Sequence, residues 1–208
     1  MNETAIPVTE TLAPPGTLWS RMKSDPQYAP EHLALEAVRR LGPEAARWAE
    51  RCRVNNPGIT CDALAELAVK RFTTLARISG SASGASGLPG AVLDVGVLAW
   101  TQSRMVLHVA AAYGHDPVAP ERATELLMLQ RVHKAAEPAR VALGVAAGRD
   151  RASRLFTETT ARPLTGVMLK LAVRLRHMAG VRAARRAWVH SAATRDLAVR
   201  SRLWFRTA

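Results

Sequence analysis

Cysteine is nearly absent from this chain: Cys52 and Cys61 are the only two, with eight residues between them across an Asn55-Asn56-Pro57-Gly58 turn. That spacing fits neither a zinc site nor a Cys-x-x-Cys redox pair, so both read as reduced structural thiols. The six histidines, at 32, 108, 115, 133, 177 and 190, include no pair four apart and no His-Glu-x-x-His. A helical metal clamp is therefore not expected, and no metal or cofactor is. His115 beside Asp116 reads as a solvated turn residue. The small-residue segment 79–90 lacks the Gly-Lys-Ser/Thr of a P-loop, and Ser81, Ser83 and Ser86 are not set between glycines at nucleophile-elbow spacing. Phosphate cradling and serine hydrolysis are disfavoured, and the chain reads as a non-enzyme. Met1-Asn2-Glu3-Thr4 opens no basic region followed by an apolar stretch, which argues against a secretory signal and for a cytoplasmic location. Strand alternation, internal repeats and coiled-coil heptads are missing too.

What is present is helical periodicity. The chain has 208 residues, 48% of them hydrophobic, enough for one compact core. Residues 1–28 hold Pro7, Pro14, Pro15, Gly16 and Pro26 and read as a flexible arm with a docked Trp19. Residues 29–208 read as one all-α domain. Pro30 opens a helix that Gly42-Pro43 is expected to interrupt, with a second short helix over 44–54. Thr60 can cap the clearest amphipathic helix, carrying Leu64, Leu67, Ala68, Phe72, Leu75 and Ile78. Residues 91–113 are apolar on nearly every face and form a buried central helix. Asp94 and Arg104 leave nine uncharged residues between them, far short of the roughly 20 that cross a bilayer. Another helix runs from Pro120 toward Pro138, and 139–148, 151–160, 164–178 and 181–205 are helical as well.

The charge is unevenly placed. The formal net charge is +12, and arginine outnumbers lysine 25 to 4. Residues 1–130 carry 12 Lys/Arg against 13 Asp/Glu, and residues 131–208 carry 17 against 4, so the whole excess lies in the C-terminal part. High-GC coding would account for arginine over lysine but not for this segregation. Lys170, Arg174 and His177 share a helix face; Arg182, Arg185 and Arg186 lie near Trp188; Arg200, Arg202 and Arg206 surround Trp204. Such basic helices over 161–208 suit an anionic membrane surface, with Trp at the boundary. They also suit nucleic acid or an acidic protein, although no nucleic-acid-binding signature accompanies them, and they suit a solvated arginine face over a tryptophan-containing core.

In the central helix Asp94, Thr101 and His108 are spaced by seven, with Arg104 three past Thr101, so all four fall near one face. Charges there must be paired, so the stripe predicts a partner helix with polar groups, or a wet cavity that takes a ligand or lipid headgroup. Asp94 and His108 are about 21 Å apart along the axis and form no acid–base dyad. An unrecognised enzyme would use this stripe. Gly80 with Gly84, and Ser83 with Gly87 and Ala91, recur every four residues, which allows close helix packing or a lipid-facing hairpin.

The segment 72–131 resembles the EcsC family, in which small residues ending in Gly-Leu-Pro-Gly precede an apolar helix and a Tyr-Gly-x-Asp-Pro turn. Here these are Gly80, Gly84, Gly87 to Gly90, Asp94, Gln102, Tyr113, Gly114, Asp116 and Pro117. Ala192-Ala193-Thr194-Arg195 leading to Trp204-Phe205-Arg206 is similar to the family's final helix, so the resemblance covers 31–206. Pro163 to Val167 followed by basic residues departs from the family's Gly-rich apolar hairpin, which bears against membrane insertion. The resemblance implies a membrane-associated accessory of an ABC-type exporter, with no active site to carry over. The sequence reading is thus a non-enzymatic helical protein docked peripherally on the cytoplasmic leaflet and supporting lipid handling or an exporter, a membrane transporter being a candidate partner. The alternative is a soluble module whose arginine face binds an acidic protein or nucleic acid.

Overall fold

The computed structural model describes residues 14–82, 88–155 and 183–207, apart from the side chains of 77–95, 149–155 and 183–190. Among the described residues there are seven α-helices, one 3-10 turn over Pro26–Tyr28, and no strand. The helices are α1 (Gly16–Ser24), α2 (Ala29–Asn55), α3 (Cys61–Ala82), α4 (Leu88–Ala112), α5 (Glu121–Leu129), α6 (Ala136–Leu155) and α7 (Ala183–Thr207). The all-α class follows from the periodicity.

An apolar cylinder cannot lie at a surface, and α4 takes the centre. Over residues 100–112 Gln102 alone is less than buried, because α2, α3 and α7 all pack on this helix. Phe72 from α3, Leu107 from α4 and Leu197 from α7 are among the fully buried side chains of the core. Thr60 caps α3 as its position suggests, accepting a bond from the Ala63 amide at 3.2 Å.

Helix α2 corrects the expected break at Gly42-Pro43. It runs unbroken through Pro43, although a proline inside a helix removes one backbone bond and costs about 3 kcal/mol. The compensation is a continuous buried face of Ala37, Val38, Leu41, Ala45, Trp48 and Ala49. Gly42 is needed on that face for a second reason. A methyl group there would come within 2.6 Å of the Pro117 carbonyl oxygen and 2.9 Å of Val118 Cγ1, so the loop after α4 closes directly on the α2 backbone.

The expected flexible arm over 1–28 is also corrected, from residue 16 on. Leu18 and Met22, one helical turn apart, are both buried, and Trp19 packs on the core with its ring over Gly96. Helix α1 is further tied to α2 through Glu36, which receives Arg21 at 2.8 Å, Arg39 at 2.5 Å and Arg40. Burial alone would raise this carboxyl. Hydrogen bonds from Arg39, Arg21 and Arg40 outweigh that and hold it down at about 2.

Two helices end in the same backbone device. At the end of α4, Gly114 has φ +89°, its amide bonds Ala111 O and the His115 amide bonds Ala110 O. At the end of α5, Arg131 has φ +60°, with Arg131 N to Met128 O and Val132 N to Leu127 O. Both are Schellman endings, which favour glycine at the left-handed position. This is why α5 stops at Leu129 instead of continuing toward Pro138, which falls in the first turn of α6, where its missing amide hydrogen costs least. Helix α6 then passes through Gly148 to Leu155, joining two segments that were expected to be separate. The segment 164–178 lies outside the described residues.

Two substitutions check this account by chemical denaturation. Gly42→Ala should lose about 1–3 kcal/mol, because a backbone carbonyl cannot move aside as a side chain can. Arg131→Gly should gain up to about 1 kcal/mol by relieving the left-handed conformation.

Candidate functional site

Arg104, from the stripe on α4, finds its partner on α2. Arg104 is buried and pairs with Glu44 at 3.2 Å; His108, fully buried, places Nε2 3.8 Å from the other Glu44 oxygen. His108 Nδ1 lies 2.8 Å from the Arg104 carbonyl, and since a carbonyl only accepts, Nδ1 carries the hydrogen. The imidazole is enclosed by Trp48 and Phe72, with ring centroids at 5.0 and 4.8 Å. Burial pushes it down to about 3, and Arg71, Arg104 and Arg51 act in the same direction against the bond to the Arg104 carbonyl. His108 is therefore neutral at physiological pH. Its full burial leaves the ring no access to a substrate in this packing.

Thr101 does not join the group: it is buried and its hydroxyl donates to Val97 O at 2.9 Å on its own helix. The side chain of Asp94 lies outside the described residues. Glu44 was not singled out from the sequence. The available signal was its place beside the apolar stripe of Leu41, Ala45 and Trp48, where an acidic residue needs a cation.

The basic C-terminal candidates divide. Lys170, Arg174 and Arg182 lie outside the described residues; Arg185, Arg186 and Trp188 belong to α7, and their side chains do too. Of the four that are described, the three arginines have structural work. Arg200 donates twice to Leu129 O, at 3.2 and 3.0 Å, capping the open carbonyl end of α5, and it also reaches Asp196. Arg202 and Arg206 turn to Asp62 at the start of α3, at 3.6 and 2.5 Å. Tyr113 at the end of α4 donates to the same carboxylate at 2.6 Å. The Tyr113 hydroxyl foremost, with Arg206 and Arg202, holds the Asp62 carboxyl below its ordinary value, outweighing desolvation. Trp204 is partly exposed, so it is not a core residue. His115, expected to be a solvated turn residue, instead bonds Phe205 O at 2.8 Å and so caps α7.

The outer side of α7 presents a different surface. Val199 is 58% exposed and Leu203, one turn later, 61% exposed. Arg195, one turn before them, and Arg206, three residues after, are exposed as well. An apolar pair bracketed by cations thus faces outward on the last helix. Among the described residues, no group of three or more His, Cys, Asp or Glu is placed to hold a metal, and no helix is long and apolar enough to cross a membrane.

The buried imidazole has a pH consequence. An unfolded histidine titrates near its ordinary 6.5 and the native one near 3, so between those values the unfolded chain takes up a proton that the fold excludes. The stability contributed is fully present above pH 6.5 and is lost as the pH falls toward 3. Urea unfolding between pH 6.5 and 5, above the window in which Glu36 titrates, should show stability falling with pH, and His108→Phe should flatten that slope.

No family model, curated protein or solved structure matches this chain, so its role has to be read from the chemistry of these surfaces.

Proposed function

We propose that this chain is a non-enzymatic protein that docks peripherally on an anionic membrane, at the cytoplasmic leaflet, through the outer face of α7 and the basic segment around it. The observation that carries the reading is the exposed Val199 and Leu203, bracketed by Arg195 and Arg206, in the part of the chain that holds 17 basic and 4 acidic residues. Two aliphatic side chains one turn apart can enter the acyl boundary together. Arginines on either side then meet headgroup phosphates, each worth about 1 kcal/mol near such a surface. The resemblance of residues 72–131 to the EcsC family adds support, and on that resemblance the docked protein would assist lipid handling or an ABC-type exporter.

Because α7 packs on α3 and α4, deleting it would open the core, so point variants of the full chain are the proper test. Co-sedimentation should show salt-sensitive binding to vesicles containing phosphatidylglycerol and none to neutral vesicles. The double variant Val199→Ser/Leu203→Ser should keep its thermal stability and bind about tenfold more weakly. Equal binding by the variant, or no binding to anionic vesicles, would overturn the reading.

A further inference from the structure

The docking face and the internal ion pairs of α7 draw on the same arginines. Arg206 belongs to the outward stripe with Val199 and Leu203, yet its guanidinium is turned to Asp62 at 2.5 Å. Arg202, one turn earlier, reaches the other oxygen of that carboxylate at 3.6 Å, and Tyr113 donates to it at 2.6 Å. Two guanidinium groups and a phenol, drawn from α7 and the end of α4, thus converge on one oxyanion supplied by α3. Convergent donors of this kind are how proteins hold phosphate and carboxylate groups.

Asp62 can turn away without uncapping α3. The cap of α3 is Thr60, whose hydroxyl accepts from Ala63 N, so rotating the Asp62 side chain away breaks no helix-terminal bond that Thr60 makes. The carboxylate is 40% exposed and Arg206 61%, and exposed ion pairs hold together by about 1 kcal/mol or less. A headgroup phosphate offers more oxygens to the same donors.

We propose that Asp62 is the resident occupant of an oxyanion site formed by Tyr113, Arg202 and Arg206, and that the phosphate of an anionic lipid headgroup displaces it on docking. This rests on the docking reading above. Asp62 then acts as an internal competitor that lowers the membrane affinity of the free protein.

The test uses the full chain with Asp62→Asn, which keeps an acceptor for Tyr113 and removes the charge. Glu66→Gln is the charge-matched control: Glu66 lies one turn later on α3 and pairs with Lys70 at 2.8 Å. Asp62→Asn should bind phosphatidylglycerol vesicles about fivefold more tightly than Glu66→Gln. Adding Arg202→Gln and Arg206→Gln should abolish the gain, with thermal unfolding confirming that each variant is folded. In a second arm, inorganic phosphate alone should shift the Arg202 and Arg206 side-chain Nε–H signals in Asp62→Asn and not in the wild type. If Asp62→Asn binds vesicles no better than Glu66→Gln, Asp62 is only a strut between α3 and α7 and the proposal falls while docking stands. If no variant binds vesicles, the docking reading fails, and the phosphate arm decides the oxyanion site by itself.

Discussion

A helix that is apolar on nearly every face has no side to offer water, and the position of α4 organises the rest of the chain. Its neighbours α2, α3 and α7 are where they are because they cover it. The constraint is sharpened by Arg104 and His108, which enter the core along with the apolar residues. A buried guanidinium without an anion would be very costly, so α2 must present Glu44 at that level. The pair fixes the axial position of α2 against α4, and the Trp48 and Phe72 rings close around the imidazole. Of the polar stripe on α4, Arg104 is, in this packing, the residue that registers two helices through Glu44.

The arginines of this chain serve several ends. Arg53 donates to Ala111 O and Ala112 O at 2.8 and 3.2 Å, closing the carbonyl end of α4. Arg200 closes that of α5, and His115 does the same for α7. Helix C-termini carry open carbonyls and partial negative charge, so a cation or a ring N–H from a neighbouring helix is a natural partner. Part of the positive excess is therefore consumed inside the fold. Among the described side chains of α7, what remains for a partner is narrower than the composition suggests: Arg195, and, on the proposal above, Arg202 and Arg206 by exchange with Asp62.

Such a division gives the docking proposal its form. A surface made only of solvated arginines would attract any polyanion, but a bracketed aliphatic pair discriminates in favour of a boundary with an apolar side. Membrane attachment through one helix face also leaves the core undisturbed, since Leu197, Ala198, Ser201 and Phe205 point inward from the same helix.

The sequence by itself determined the helical class, the burial of α4, the Thr60 cap and the turn at Gly114, because each rests on local periodicity or on the conformational freedom of one residue. It also located the charge asymmetry, which is a property of composition. Tertiary structure alone decided the rest. Pro43 reads as a break until the buried face on either side of it is seen to hold the helix straight through, and Arg131 carries no sign of a left-handed ending. The arm from residue 16 becomes a helix only because Leu18 and Trp19 find a core to enter and Arg21 finds Glu36. Glu44 and Asp62 lie 60 and 140 residues from their arginine partners Arg104 and Arg202, and no local pattern links positions so far apart. Ion pairs between helices are set by packing, and packing is where periodicity stops being informative.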